Sequence, residues 1–370
     1  MTRLACIGVL ALGLAMAVPA LGGMVLTADA RLDGDVAFTD AGPRVGGKTV
    51  PWDAVLCVVP QGRVQTLIAP GAVRLAGGEV WRGDILGLSA GKLTVRLALF
   101  GRREMDVRQV VGIEFAATGG ADAAVPGTLY REKGEPVPGT LMWIDEGRLA
   151  IDSPLGVLTL PREGAVRYVF PAAAKPAAAE GDEIGLIDGS VLRGKARPVV
   201  GGLQVEHPVL GAIKIDAGLV RYIARPSARM VDLATLAPAA VTAVGPLGPA
   251  AAGATVESHR GDAAVGGAAA CLASVRVEPK TTIRYRLPPG GGKAVFTARL
   301  LPVEGARGDV RVRVLAGGQT LLEKELAAGA APMDVRADVP GDGELAVEVD
   351  FGARMAFPCG VVLADPMIVR

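Results

Sequence analysis

Apolar residues in this chain come in short runs, and glycine cuts the runs at a regular step. Three segments align on that step: VWRGDILGLSAGKLTVRLALFGRREMDVRQVVGIEF, PVPGTLMWIDEGRLAIDSPLGVLTLPREGAVRYVF and VLRGKARPVVGGLQVEHPVLGAIKIDAGLVRYIA. Gly83, Gly139 and Gly194 match at nearly equal intervals, and Gly91, Gly147 and Gly202 each follow at the same distance behind them. Gly101, Gly156 and Gly211 come next, and each segment closes on an apolar run, VVGIEF, VRYVF or VRYIA. Between the glycines the runs alternate in part. In GRLAIDSPLGVLTL, Leu149, Ile151 and Ser153 share one face while Ala150 and Asp152 share the other, the period of a strand. Glycine supplies the positive φ that tight hairpins need. The pattern predicts strand, turn, strand, turn, strand and a last short strand in each unit, with a partial earlier copy at 46–59. One unit of about 45 residues is marginal for burying a core of its own. It either curls into a small barrel or stacks on its neighbours.

This layout resembles the short Sm-like or SH3-like β repeats of some exported bacterial proteins. Small, apolar-poor AAAKPAAAEG at 172–181 reads as a flexible linker between the second and third units. The uncharged stretch from Leu233 to Val256 is long enough to raise a membrane helix. Pro238, Pro246, Pro249 and several glycines argue against one, so it is a linker or an extended lead-in to the last domain.

From about Val231 the pattern changes to longer alternating strands separated by Gly, Pro and Asp turns. Val310, Val312 and Val314 alternate with Arg311 and Arg313, giving one buried and one wet face. Regular short strands over about 140 residues predict an antiparallel β-sandwich or jelly roll. Several segments here carry a more specific likeness: VDLATLAP (231–238), RGDAAVGG (260–267), SVRVEPKTTIRYRL (274–287), AVFTARL (294–300), VRVRVLAGGQTLLEKEL and the closing VVLADPMIVR. In them the region resembles the NPCBM/NEW2 family, carbohydrate-binding modules often attached to glycoside hydrolases. The resemblance implies a galactose-binding-like sandwich and a glycan ligand, and it covers only the part of the chain from about Val231 onward. Three departures weaken the ligand implication. Ser274, Arg276 and Glu278 replace the family's Gly-x-Gly-x-His, Leu301-Pro302-Val303 replaces a Gly-Val-Asp turn, and the tryptophan expected near the final strand is absent, with Phe357 and Cys359 nearby instead.

The N-terminus adds a destination. Arg3 precedes an apolar run from Leu4 to Val18, and Val18-Pro19-Ala20 has the small residues of a signal-peptidase site. The run is short for a membrane span. Cleavage after Ala20, and so export to the periplasm or outside the cell, is the expectation; an uncleaved anchor is the alternative. Cys6 would leave with the signal, and Cys57, Cys271 and Cys359 remain without metal spacing. Cys271 and Cys359 either pair in an oxidising compartment or stay buried as free thiols.

Charge and composition remove other classes. The 39 Lys+Arg nearly cancel 38 Asp+Glu, and no basic stripe carries interleaved aromatics, which excludes nucleic acid as the expected partner. Catalytic residues do not stand out either: no nucleophile elbow, GxGxxG or P-loop appears. GGGK at 290–293 is read as a hairpin turn. His207, before Pro208, is read as solvated. His259 is placed in a polar loop, ESHRGD, where Glu257, His259 and Asp262 are the only candidate metal trio; loop solvation is preferred and no metal is expected. Asp145, Glu146 and Asp188 would form a glycosidase couple only if the fold opposed them across a cleft.

Sugar binding needs an exposed aromatic. Trp52, Trp81 and Trp143 all lie in the N-terminal half, with core or inter-repeat packing expected for Trp81 and Trp143. Tyr285, Phe296, Phe351 and Phe357 sit in apolar strand contexts that suit a core, so no carbohydrate-binding residue is assigned.

The expected organisation is all-β: tandem small β-barrel-like repeats followed by an antiparallel β-sandwich. Its parts are a signal peptide (1–20), a partial repeat (21–70), repeats one (71–120) and two (121–171), a linker (172–181), repeat three (182–228) and the sandwich (229–370). The expected function is an exported, non-catalytic, cofactor-free binding protein whose partner is a glycan or, alternatively, an envelope protein, with no membrane span in the mature chain.

Overall fold

The computed structural model describes residues 22–60, 71–116, 125–171, 181–225, 229–245, 248–249, 257–260 and 271–370. The signal segment and nearly all of the 172–181 linker lie outside them. The described chain is nearly all β, in several antiparallel sheets with no closed barrel. Its only helical pieces are three short 3-10 turns, Trp52–Ala54, Val107–Gln109 and Ala217–Leu219.

In each repeat the first strand pairs with the last. Ala72–Leu75 lies on Val110–Glu114, Thr128–Arg131 on Ala165–Val169, and Asp182–Leu186 on Val220–Ala224. The segment from Gly23 does the same, Gly23–Thr27 pairing with Val55–Val59, so it runs through the whole strand order rather than a fragment of it. The last strands begin at Val55, Val110, Ala165 and Val220, evenly spaced along the chain.

Glycine explains why the register repeats. A Cβ on Gly83 would meet the Arg96 carbonyl oxygen at 2.2 Å, and one on Gly139 the Asp152 carbonyl at 2.5 Å. These residues let the long second strand bend hard against the third. An earlier glycine packs on each of them: Gly71 on Gly83, Gly127 on Gly139, Gly181 on Gly194 and Gly22 on Gly34. That upstream glycine is readable in the sequence as part of the repeat and marks all four copies.

The repeats do not close into separate barrels, because the fourth strand never reaches the fifth. They join through their last strands instead. Ile113 lies opposite Tyr168 between repeats one and two, and Ile223 opposite Val58 between repeat three and the leading copy. Repeat one also touches repeats two and three through Leu88 opposite Ile144 and Val80 opposite Val191.

The C-terminal region is a sandwich of two six-stranded antiparallel sheets. Thr281–Leu287, Gly343–Phe351 and Val310–Ala316 lie in one; Ala273–Val277, Lys293–Pro302, Met333–Pro340 and Val361–Val369 in the other. Val310, Val312 and Val314 are buried, with Arg311 and Arg313 between them less so. Gly290–Lys293 is not a hairpin turn. It carries the chain from one sheet to the other, since Thr281–Leu287 and Lys293–Pro302 pair with different partners. Ala240–Gly245, within the uncharged stretch, is a strand on Thr281–Leu287, so that part of the stretch is a lead-in to the sandwich.

Some strands are apolar at every position because both faces are covered. Val25, Val58 and Ile223 face the core of the repeats. Their neighbours Met24, Leu26, Cys57, Val59, Tyr222 and Ala224 join the sandwich core, with Phe296, Leu300 and Leu363. The leading copy and repeat three therefore share a continuous apolar contact with the sandwich.

Candidate functional site

Of the three tryptophans, four tyrosines and seven phenylalanines, Phe357 alone is exposed, at 55%. Two segments build its surroundings. Residues 352–360 connect the strands Gly343–Phe351 and Val361–Val369, and residues 303–309 connect Lys293–Pro302 to Val310–Ala316. The two connections are laced together by backbone bonds. The Arg307 N–H donates to the Pro358 carbonyl (2.7 Å), Asp309 N–H to the Arg354 carbonyl (2.9 Å) and Gly352 N–H to the Asp309 carbonyl (2.8 Å). Gly308 is needed at this crossing, since a Cβ there would meet the Ala356 carbonyl oxygen at 2.1 Å. Asp309 accepts from the Ala328 N–H and from the Arg354 guanidinium, each at 3.0 Å. The Ala328 N–H first, and then Arg354, hold its carboxyl below the usual range.

Phe357 stands edge to face with half-buried Phe351, ring centroids 5.4 Å apart. Met355, 77% exposed, lies two residues away, and Arg307 and Arg354 are exposed beside it. The arrangement is an open, held aromatic surface with guanidinium donors at its margin. It can stack on the apolar face of a ring and donate hydrogen bonds to hydroxyl or carboxylate oxygens.

The remaining candidates are occupied otherwise. Tyr285 and Phe296 are buried in the sandwich core, and burial, with Asp232 nearby, pushes the Tyr285 phenol up to about 12. Trp143 is half-buried. Trp52 is too; it donates from Nε1 to the Ala196 carbonyl at 3.0 Å and lies 4.7 Å beneath the Arg225 guanidinium. Trp81 is buried at the junction of repeats one and three.

His207 is not solvated. Its side chain is wholly covered, and its ring stands 5.4 Å from Trp81. The N–H groups of Val209 and Leu210 both donate to Nδ1 at 3.0 Å, so Nε2 carries the hydrogen and gives it to Glu79 at 3.1 Å. Glu79 also accepts from Trp81 Nε1 at 2.8 Å. Sequence reasoning missed the burial because Glu79 lies 128 residues upstream of its partner.

His259 lies in the strand Glu257–Arg260, paired with Ala273–Val277, and not in a loop. Asp262 is outside the described residues, and no group of three metal-ligating side chains occurs among those described. Asp145 caps a turn, accepting from Gly147 and Arg148 N–H. Asp188 is buried and accepts from the Ser190 N–H and hydroxyl. Glu146 lines an open cleft of about 590 Å³ with Asp84, Arg96, Arg102 and Arg162. Asp145 and Asp188 are thus tied to separate turns, not opposed across a cleft. Cys57, Cys271 and Cys359 are buried and form no disulfide.

No protein-family model matches this chain, and no curated protein matches it in sequence. Chains of solved structure do match. One is a CBM51 from Clostridium perfringens GH95 in complex with methyl-galactose, 12% identical over 38% of this chain and 99% of that chain, with a TM-score of 0.31. The tandem CBM51 modules of a family 98 glycoside hydrolase from Streptococcus pneumoniae are 11% identical over 51% of this chain and 70% of theirs, TM-score 0.31. The C-terminal CBM6 of LamC from Zobellia galactanivorans is 12% identical over 38% and 98%, TM-score 0.23. These three are carbohydrate-binding modules; a GH115 glucuronidase is also among the matches.

Proposed function

We propose that this is an exported, non-catalytic binding protein whose C-terminal sandwich takes a glycan on the Phe357 surface. One observation carries the reading: the sole exposed aromatic of the chain sits on the sandwich, on connections pinned by backbone hydrogen bonds. A pinned ring loses little entropy when a sugar stacks on it. The resemblance of the segments from Val231 onward to NPCBM/NEW2 modules points to the same ligand class. The tying of Asp145 and Asp188 into turns supports a role without catalysis.

The test is a glycan array probed with the full mature chain and with Phe357→Ala. Saturable binding is expected for the first, weakened about five- to tenfold in the second, the loss of one stacking contact of about 1–1.4 kcal/mol. The variant loses the edge contact with Phe351, about 0.5–1.5 kcal/mol, so a small drop in melting temperature with the cooperative transition kept is expected. No binding by the wild type retires the reading, and equal binding by the variant moves the site elsewhere.

Export rests on the apolar run Leu4–Val18 and the small residues that follow. Intact-mass measurement of protein recovered from the cell envelope or medium is expected to give a chain starting at Leu21. A full-length mass would favour the uncleaved anchor.

A second reading, an interaction protein of the envelope, is favoured by one feature: the uncharged, one-sided strand Gly156–Pro161 of repeat two.

A further inference from the structure

We infer that two copies of this chain pair through that strand, antiparallel and two-fold symmetric about Leu158. Every repeat ends its sheet on its fourth strand. Among the described strands, Lys48–Thr49, Gly101–Asp106, Gly156–Pro161 and Gly211–Asp216 each pair on one side only, with the strand of their own hairpin. The chain therefore holds four versions of one edge. An open edge is a template for strand addition, and charged residues on it are the usual protection. Lys48 protects the leading copy; Arg102, Arg103, Glu104 and Asp106 protect repeat one; Lys214 and Asp216 protect repeat three. The edge of repeat two reads GVLTLP and has no charge. Val157 is 60% exposed and Leu155, at the tip of the hairpin, 89%.

The backbone parity shows what this edge offers. Arg162 N–H donates to the Gly147 carbonyl, so positions an even number of residues before Arg162 bond inward to Arg148–Ser153. Leu160, Leu158 and Gly156 are those positions. Val157 and Thr159 turn their N–H and C=O groups to the open side. In an antiparallel pair centred on Leu158, Val157 meets Thr159 of the second copy, and the two-fold repeats the contact. That gives four backbone hydrogen bonds and two matched pairs of β-branched side chains.

The register is complementary to itself in hydrogen bonding, and self-pairing in it meets no charge repulsion. Between residues 154 and 161 no charged side chain meets its like across the axis, whereas the edge of repeat one paired in the same way would set Arg103 against Arg103. The two-fold contact closes on itself and leads to a dimer rather than a fibre.

The inference narrows the interaction reading above to self-pairing. Sedimentation velocity of the full mature chain over a wide concentration range is expected to show a monomer–dimer equilibrium. Val157→Lys places a charge beside the axis, and Thr159→Pro removes an outward N–H without touching the hairpin bonds. Each is expected to abolish the dimer while the monomer still melts cooperatively, at a temperature no longer dependent on concentration. Val200→Lys, at an exposed apolar position in repeat three, leaves the dimer intact. A monomeric wild type overturns the inference, as does a dimer that survives either edge variant. A monomeric wild type that still retains an envelope protein, lost in Val157→Lys, would overturn self-pairing and leave the broader interaction reading standing.

Discussion

Asp365→Ala destabilises the folded chain by about 3–5 kcal/mol, the loss expected when one member of a buried ion pair is removed. Asp365 is the acid of the closing segment VVLADPMIVR, is 3% exposed, and sits at a positive φ of 48° where the pairing with Lys293–Pro302 skips register. Its Oδ1 accepts the N–H of Leu272 (2.7 Å) and of Ala273 (3.2 Å). Its Oδ2 accepts from the Arg31 guanidinium, which belongs to the leading copy and is itself 9% exposed. Burial pushes the Asp365 carboxyl upward, opposed by Arg31 and the two N–H groups.

The carboxylate therefore serves two purposes, holding the sandwich strand Ala273–Val277 in place and fastening the sandwich to the leading copy. Asp365→Asn separates them, because its amide oxygen still accepts the backbone N–H groups while the bond to Arg31 is weakened. An intermediate loss is expected, and Arg31→Met combined with Asp365→Asn recovers part of it by removing a largely buried charge that has lost one carboxylate partner while keeping Asp33 (3.0 Å). Guanidinium denaturation followed by tryptophan fluorescence measures all three. A wild-type midpoint for Asp365→Ala would show that the buried pair contributes nothing net.

Trp81→Ala is expected to cost a similar amount, about 3–5 kcal/mol, by opening a cavity in the core shared by the repeats. Trp81 is 1% exposed, and its loss also removes one of the two donors that satisfy buried Glu79. Glu79→Gln tests the polar part alone. Trp81 Nε1 (2.8 Å) and His207 Nε2 (3.1 Å) both reach the same Glu79 oxygen, so a Gln oxygen placed there accepts from both, but without the carboxylate's charge. Two bonds to a charged acceptor become bonds to a neutral one, at a cost of about 1–3 kcal/mol. Thermal melts of the two variants should show the larger drop for Trp81→Ala. The opposite order would mean that the carboxylate, and not the indole volume, holds repeats one and three together.

What the sequence alone determined here is local. Glycine marks the positions where one backbone runs against another, so Gly83, Gly139 and Gly194 set the repeat. Alternation marks strands with one wet face, as at Val310–Ala316. Both signals act within a few residues, and both are present whatever the chain does at long range.

The tertiary structure decided everything that depends on which strands meet. GGGK carries the chain between sheets because its flanking strands take their partners from far downstream, Gly343–Phe351 for one and Met333–Pro340 for the other, a choice no local spacing encodes. His207, before a proline on a turn, has the local look of a solvated side chain. It is buried because repeat three docks Glu79 of repeat one against it. Phe357 has the apolar neighbours of a core residue, yet its connection lies outside the two sheets and leaves the ring in water. Burial is a property of what packs against a residue, and in a sheet protein that is fixed by pairings distant in sequence.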